Sequence, residues 1–308
     1  MTLYCLEVDN MSLFCSCASE PILSYISCVL NAENGDEATI FIKPAEEKKN
    51  VVVVGAGIAG LEAARVAAIK GHNVTVYEKE DRIGGQIHIA AAPPRKDEIL
   101  RSVAYYEAIL PRFENVTVKL NTEFTKELAA GADALIVAVG AHDFALPIVG
   151  ADRANVVSSW DVLAGKTAVS GKVAVIGGGL VGAETADYLA EKGCEVTIVE
   201  MTDKIANGES STVMPTLMAN YAKYGVKQLV NTKVSAIEEG KVLAVNTADN
   251  ADVVVECDYV VMAVGSKKNV LDVEGVEIPV SYAGDCAGER TADIAAAIRG
   301  GYKAANEI

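Results

Sequence analysis

Two glycine-rich turns with the spacing G-x-G-x-x-G give this chain its clearest chemical signal. The glycines are Gly55, Gly57 and Gly60 in the first turn, and Gly177, Gly179 and Gly182 in the second. The first glycine of such a turn permits a tight bend, the second lets a pyrophosphate approach, and the third lets a helix pack on a strand. An acid ends the next strand in each copy, Glu78 or Glu200, where a carboxylate can accept hydrogen bonds from ribose hydroxyls. These residues predict two dinucleotide sites.

The segments around each turn predict the strand–turn–helix–strand unit that positions such a site. Residues 51–54 are an unbroken valine run, typical of a strand covered on both faces. The helix after the turn would present free N–H groups and its positive dipole end to phosphates. The same order recurs over residues 172–200, and a later strand ends in Ala-Val-Gly in both halves, at Gly140 and Gly265. We therefore expect two Rossmann-like α/β units.

The order of the segments predicts that the second unit is inserted into the first. We expect a cysteine-rich segment at 1–45, a first nucleotide domain formed by 46–150 and 268–308, and a second domain at 151–267. Two nucleotide sites in one chain indicate electron transfer between two nucleotide cofactors. This favours a flavin enzyme supplied by a nicotinamide.

Composition excludes several classes of partner. The chain has 308 residues, 51% of them hydrophobic, and a net charge of −15. That charge argues against nucleic acid or an anionic membrane surface as a partner. No apolar run reaches transmembrane length, and the N-terminus lacks the basic region of a secretory signal. We expect a cytoplasmic protein without membrane insertion.

Four cysteines lie close together near the N-terminus, at Cys5, Cys15, Cys17 and Cys28. In a cytosolic chain, grouped cysteines favour metal binding over disulfides. Their thiolates are enough in number for a [4Fe–4S] cluster. These four residues are the candidate metal ligands.

Several motifs together resemble the flavoproteins with two dinucleotide-binding domains. They are GAGIAG at 55–60, Glu78, Gly84-Gly85-Gln86, the strand ends at Gly140 and Gly265, and Gly284-Asp285. The stretches 71–98 and 172–193 resemble more closely the C-terminal half of the 2,4-dienoyl-CoA reductase, enoate reductase and trimethylamine dehydrogenase family. The resemblance extends over residues 50–308.

The resemblance implies a role for each site. It implies FAD at the first turn, held by Gly55, Gly57, Ala59, Gly60, Glu78, Lys79, Gly85, Gln86, Lys96, Gly140, Gly284 and Asp285. It implies a nicotinamide nucleotide at the second, held by Gly177, Gly179, Leu180, Gly182, Glu200 and Gly265. Met201 follows Glu200, with no adjacent arginine for a 2′-phosphate, which favours NADH. Lys204 is near enough in sequence to keep NADPH open.

The sequence departs from that family at two points. Family members carry an FMN-binding TIM barrel ahead of this region, so here the barrel is either a separate subunit or missing from a truncated relative. The family's cysteine pattern is C-x2-C-x2,3-C-x11,12-C. Cys15 and Cys28 fit the last interval, but Asp9 and Ser12 stand at the two upstream positions. A bound cluster and a remnant loop with unligated thiols both stay open.

The expected function is transfer of a hydride from NAD(P)H to FAD and of electrons onward, with or without a [4Fe–4S] relay. The acceptor would be a partner FMN-barrel reductase of the enoate or dienoyl-CoA type. A stand-alone NADH oxidase or dehydrogenase, and an FAD-loaded module with a static second nucleotide, are the alternatives. Disulfide reductase chemistry is disfavoured because no cysteine follows Gly85 closely and Cys194 and Cys257 are far apart in sequence. The hydride step requires no catalytic acid or base from the protein.

Overall fold

Strands and helices alternate along most of the chain. The computed structural model describes residues 15–17, 26–288 and 293–308. The strands are β1 (Cys15–Cys17), β2 (Ile26–Cys28), β3 (Asn50–Val54), β4 (Asn73–Tyr77), β5 (Val116–Lys119), β6 (Ala134–Val137), β7 (Ala141–Asp143), β8 (Val156–Ser158), β9 (Lys172–Ile176), β10 (Glu195–Val199), β11 (Lys227–Leu229), β12 (Thr232–Glu238), β13 (Lys241–Asn246), β14 (Asp252–Glu256), β15 (Tyr259–Met262), β16 (Ser266–Lys268) and β17 (Val280–Tyr282). The helices are α1 (Ile58–Lys70), α2 (Ile87–Ala90), α3 (Leu100–Ile109), α4 (Ser159–Leu163), α5 (Leu180–Glu191), α6 (Met214–Tyr224) and α7 (Ile294–Asn306).

The first compact unit contains the described residues up to Ile87, together with those of Leu100–Ala141 and Lys268–Ile308. Its sheet has the strand order β17-β6-β3-β4-β5, and every neighbouring pair is parallel. The valines of β3 are buried, as a strand with elements on both faces requires. The unit is an open, parallel α/β sheet.

Helices α1 and α7 of the first unit pack backbone to backbone. A Cβ at Gly301 of α7 would lie 2.1 Å from the Ala59 carbonyl oxygen of α1. A side chain larger than hydrogen at this position would therefore separate the helices. Alanines buried on both helices, such as Ala63 and Ala305, complete the close packing.

The second compact unit contains His88–Ile99 and His142–Lys267. Its parallel sheet has the order β11-β10-β9-β15-β8, and an antiparallel sheet β12-β13-β14 accompanies it. Helices α5 and α6 share an apolar core with the parallel sheet, where Leu189, Ile198 and Tyr221 are almost fully buried. Short strands β7 and β16 pair with each other.

The predicted fold class, two Rossmann-like units with the second inserted into the first, is confirmed. The domain bounds expected from the sequence stay a prediction. Residues 88–99 and 142–150 group with the second compact unit. Ion pairs of Arg95 and Lys96, described below, join the first of these segments to α5.

The N-terminal cysteines are described only in part. Strands β1 and β2 pair antiparallel, with Cys15 opposite Cys28 and Cys17 opposite Ile26. Cys5 lies outside the described residues. Among the residues that are described, no group of three or more potential metal ligands comes together. The same ranges contain no helix of the length and apolarity that a membrane crossing needs.

Candidate nucleotide sites

The glycine turn of the first unit is set by backbone contacts. Gly55 has φ of +97°, and a Cβ there would lie 2.4 Å from the Ala138 carbonyl oxygen. A Cβ at Gly60 would lie 2.0 Å from the Gly55 carbonyl oxygen. Both positions exclude any side chain, so the turn brings α1 directly against β3 and β6.

The start of α1 leaves room for a ligand. Gly57 is the N-cap residue and no side chain caps the helix, so the N–H groups of the first turn have no partner within the helix. A Cβ at Gly57 would meet nothing within 4 Å. This open backbone and the positive end of the helix dipole fit the pyrophosphate of a dinucleotide such as FAD.

The acid at the end of β4 is fixed beside this turn. Glu78 is buried, and its carboxylate accepts hydrogen bonds from the Ala56 amide at 2.7 Å and the Glu80 amide at 2.9 Å. A carboxylate has about four acceptor sites, so capacity remains for ribose hydroxyls. Lys79 is exposed, and its ammonium lies 4.0 Å from Glu80.

The loop after β4 returns to the glycine turn. The Gly84 amide donates to the Ala56 carbonyl at 2.8 Å, and a Cβ at Gly85, where φ is +51°, would lie 3.2 Å from the Gly57 Cα. Gln86 donates from Nε2 to Asp285 Oδ2 at 3.0 Å. The turn, the double-glycine loop and the segment after β17 therefore meet at one place, and binding of FAD there stays a prediction.

Two further glycines of the first site have left-handed backbone. Gly140, just after β6, has φ of +66°, and a Cβ there would lie 3.1 Å from Gln86 Nε2. Gly284 has φ of +70°, and its Cβ would lie 2.9 Å from the Ala59 Cβ. Each position brings backbone close to a residue of the predicted FAD site, which explains why glycine stands there.

The second unit repeats the same turn. Gly177 has φ of +96°, and a Cβ there would lie 2.4 Å from the Ala263 carbonyl oxygen. A Cβ at Gly182 would lie 1.9 Å from the Gly177 carbonyl oxygen, whereas one at Gly179 would meet nothing within 4 Å. The second turn therefore offers the same open helix start, here that of α5.

Glu200 is held in the same way as Glu78. It is buried, and its carboxylate accepts from the Gly178 amide at 2.5 Å and the Thr202 amide at 2.7 Å. The loop after β10 also returns to its turn, because the Ala206 amide donates to the Gly178 carbonyl at 2.7 Å. The repeat thus includes the hydrogen bonds of the turn as well as its glycines.

A cavity of about 1110 Å³ lies over the second turn. Gly177, Gly179 and Leu180 of the turn line it, together with Glu200 and Gly265. The antiparallel sheet and its loops contribute further polar groups to the wall, namely Thr232, Lys233, Ser235, Thr247 and Asn250. Five of the six residues predicted for the second site therefore line one cavity of a size suited to a nucleotide. The sixth, Gly182, is not part of the cavity wall.

Lys96, expected at the FAD site, has its ammonium in an ion pair with Glu184 of α5. One residue earlier, Arg95 contacts Asp187 at 3.0 Å and Glu191 at 3.8 Å. Burial raises the pKa of Glu184, and the Lys96 ammonium opposes that shift. Burial likewise raises the pKa of Asp187, whose Oδ1 has no hydrogen-bond partner in the described structure.

The sequence did not single out the polar wall of the cavity. Lys233 and Ser235 alternate along β12. They belong to no motif, and they line the cavity only because the antiparallel sheet lies beside the turn.

Cys286 is buried beside Asp285, and its thiol donates to the carbonyls of Val137 and Ala283 at 3.3 Å and 3.2 Å. These bonds indicate a packing role for Cys286.

The fold and the paired turns define a chain with two Rossmann-like units of the dinucleotide-binding kind, and comparison with known proteins identifies the family. The profile of the pyridine nucleotide-disulphide oxidoreductases matches residues 36–93 and 49–301. The chain therefore belongs to this family of flavoproteins with two dinucleotide-binding domains.

Two curated relatives match nearly the whole chain. Bilirubin reductase of Mediterraneibacter gnavus is 48% identical over 92% of this chain and 44% of its own length. Cinnamate reductase of Clostridium sporogenes is 37% identical over 92% of this chain and 43% of its own length. The chain thus spans less than half the length of these relatives.

A solved structure also matches this chain over part of its own length. The complex of 2-naphthoyl-CoA reductase with 2-naphthoyl-CoA superposes with a TM-score of 0.85 and 35% identity. The match covers 92% of this chain and 44% of that chain. The predicted resemblance to flavin-dependent reductases is confirmed, and the similarity again concerns one half of a larger protein.

Proposed function

We propose that this chain is the electron-input half of an FAD-dependent NAD(P)H oxidoreductase, with FAD in the first unit and the nicotinamide nucleotide in the second. The observation that carries the proposal is the repeated cradle: a bare glycine at each helix start and a buried carboxylate hydrogen-bonded to each turn. FAD, when bound, accepts two electrons from a nicotinamide and releases them one at a time.

The residues of the chain would bind and orient the two nucleotides. Gly57 and the start of α1 would take the FAD pyrophosphate, Glu78 the ribose of its ADP half, and Asp285 the flavin side of the molecule. Gly179 and Glu200 would serve the nicotinamide nucleotide in the same way. The Gln86–Asp285 hydrogen bond fixes the carboxylate where two segments of the first unit meet.

The acceptor that we propose is an FMN-binding TIM barrel, either as a separate subunit or as the other half of a longer chain. Three of the longer relatives are named for the reduction of bilirubin, cinnamate and 2-naphthoyl-CoA, all of them unsaturated molecules. An activated C=C bond is therefore the substrate class that we propose for the barrel.

A [4Fe–4S] cluster on Cys5, Cys15, Cys17 and Cys28 belongs to the proposal as an untested relay. The nucleotide-binding roles given above do not involve this cluster. An assay of iron and acid-labile sulfide on protein purified without oxygen tests it, with about four irons per chain expected for a bound cluster.

The test of the function is an anaerobic titration of the FAD-loaded protein with NADH, followed by the flavin absorbance. Stoichiometric bleaching is expected, together with slow turnover on O₂ and fast turnover when the FMN barrel is added. Rapid O₂ consumption without the barrel would instead support a stand-alone NADH oxidase. Absence of bleaching by NADH and NADPH would contradict electron input and support a static second nucleotide.

Matched variants separate the two sites. Gly57→Ala and Gly179→Ala each add one methyl group where nothing lies within 4 Å, so both proteins should fold normally. Gly57→Ala should lower the FAD content of the purified protein. Gly179→Ala should keep FAD but require more NADH for bleaching. The same defect in both variants would contradict the assignment of one nucleotide to each unit.

A further inference from the structure

The cavity of the second unit contains two charged residues of opposite sign. Among the described residues that line it, Glu200 is the acid and Lys233 the base. The Glu200 carboxylate accepts hydrogen bonds from the Gly178 and Thr202 amides. Within the described part of the chain, no hydrogen bond or ion pair is formed by the Lys233 ammonium, in contrast to Lys96 in the same unit. The Lys233 ammonium is therefore available to bind an anionic group of a ligand in this nucleotide-sized cavity.

The backbone places Lys233 next to the acid. The Thr232 amide donates to the Glu200 carbonyl at 2.8 Å, and the Asn231 amide donates to the Thr202 carbonyl at 2.8 Å. Lys233 is the next residue of β12, and its cross-strand neighbour Val245 also lines the cavity. The base of the lysine side chain thus stands beside the end of β10, where this kind of unit receives the adenosine ribose.

Lys204, the residue that the sequence suggested for NADPH, has a different place. Both lysines are exposed, but Lys204 does not line the cavity. Its carbonyl accepts from Thr202 Oγ1 at 3.2 Å within the loop after β10. Proximity along the chain pointed to Lys204, whereas the pairing of β12 with the backbone after β10 brings Lys233 to the site.

Charge at the ribose decides which nicotinamide nucleotide binds. NADPH differs from NADH by a phosphate at the ribose 2′ position, which adds about two negative charges. Glu200 alone would disfavour that phosphate by like-charge repulsion. A lysine ammonium is a compact point charge on a flexible stem, suited to bind a phosphate that lies beside the acid.

We propose that Lys233 determines coenzyme choice: its ammonium binds the 2′-phosphate of NADPH, so that the second site accepts NADPH as well as NADH. The inference rests on the proposed function, because it assumes that the second cavity binds a nicotinamide nucleotide. The inference places the charge that distinguishes NADPH from NADH on Lys233 of β12, and not on Lys204 in the loop after Glu200.

The test measures binding of two probes that cannot be reduced, ADP and 2′,5′-ADP, to the FAD-loaded protein by titration calorimetry. Lys233→Met removes the charge but keeps most of the stem. It should weaken 2′,5′-ADP by about tenfold or more, the size of a charge-assisted hydrogen bond, and leave ADP within about twofold. Lys204→Met, the matched control, should change neither probe, and Lys233→Arg should restore 2′,5′-ADP binding.

The outcomes separate this inference from the proposed function. Wild-type protein that binds ADP but not 2′,5′-ADP would overturn the role of Lys233 alone, and so would equal weakening of both probes in Lys233→Met. A larger effect of Lys204→Met would return the role to the loop. Wild-type protein that binds neither probe nor NADH would overturn the proposed function together with the inference.

Discussion

The two units start their nucleotide-binding helices in the same way but surround them differently. In the first unit the opening residues of α1, Ile58 and Ala59, are 7% and 6% exposed, and Ala59 packs against Gly301 of α7. In the second unit the opening residues of α5, Leu180 and Val181, are each 43% exposed and line the cavity. Buried side chains at the start of α1 suit a cofactor that stays bound, and exposed side chains at the start of α5 suit a coenzyme that exchanges.

The loops after the two acids show a second difference. In the first unit Gly84 and Gly85 approach the turn with backbone alone. In the second unit Ile205 occupies this region, and a Cβ at Gly178 would lie 2.5 Å from its Cδ1. The first turn has Ala56, fully buried, where the second has Gly178. The middle residue of each turn is therefore matched to the loop that returns to it.

The largest expected effect tests how deeply charge is buried in each unit. In the first unit Glu62 is 1% exposed and accepts from Arg65 at 2.8 Å and 2.7 Å and from Tyr106 Oη at 2.9 Å. Arg65→Met leaves this carboxylate without its cation, which should cost about 3–5 kcal/mol of unfolding free energy. Denaturant unfolding followed by flavin fluorescence measures this loss.

The second unit provides the matched variant. Arg95 is 48% exposed on its side chain, and Asp187 keeps a hydrogen bond from Asn220 at 3.0 Å. Arg95→Met should therefore cost about 1 kcal/mol or less, measured by the fluorescence of Trp160, the single tryptophan of the chain. Equal losses in the two variants would contradict the difference in burial.

The next effect tests the close packing of the two turns. Gly60→Ala and Gly182→Ala place a methyl group 2.0 Å and 1.9 Å from backbone oxygen. Alanine favours helices, so its propensity alone would stabilise both proteins. The clash should dominate and destabilise each by about 3 kcal/mol, the upper end of the usual cost of overpacking. Thermal unfolding measures the loss, and stabilisation of either variant would show that the turn can widen.

The turns and their acids could be predicted from the sequence because their requirements are local. Gly55 and Gly60 are separated by a fixed number of residues, and the clash that demands glycine at Gly60 is with the Gly55 carbonyl oxygen, within that stretch. Glu78 and Glu200 were predictable as well, because each lies at the end of the strand that follows its own turn and contacts that turn. Repetition of the whole pattern made the two-unit fold predictable as well.

The remaining site residues depend on contacts between distant parts of the chain. Lys96 follows the double-glycine loop, yet its partner Glu184 lies on α5, a pairing that no spacing reveals. Lys233 reaches the second cavity only because β12 hydrogen-bonds beside Glu200. Antiparallel strands with alternating residues carry no motif, so their contribution to a site cannot be recognised from sequence alone.

A smaller effect tests whether the two acids serve separate nucleotides. Glu78→Gln and Glu200→Gln remove one charge from equivalent positions, and each places an amide group against a backbone N–H. The affinity for the nucleotide of that unit should fall by about tenfold, as expected for a hydrogen bond to a charged group. Glu78→Gln should affect FAD retention and Glu200→Gln the binding of NADH, both measured by titration. Loss of FAD from Glu200→Gln would contradict the assignment.

The smallest effect is a pH dependence confined to the first unit. His72, fully buried after α1, accepts from the Lys49 amide at its Nδ1 at 3.2 Å, and its Nε2 has no partner in the described structure. Burial, with Lys70 and Lys49 nearby, lowers the pKa of His72 below the ordinary value of 6.5. The unfolded chain then binds the proton first, so stability is retained above about pH 6.5 and falls as the pH decreases below it, by at most about 1.4 kcal/mol per pH unit.

Denaturant unfolding at pH 5, 6, 7 and 8 measures this dependence, with flavin fluorescence for the first unit and Trp160 for the second. His72→Asn keeps an acceptor near the position of Nδ1 and does not titrate, so it should flatten the decrease between pH 6.5 and 5 in the first unit. The transition of the second unit, followed through Trp160 in the same samples, provides the comparison. An unchanged pH dependence in His72→Asn would mean that carboxylates, which titrate at lower pH, cause the loss of stability.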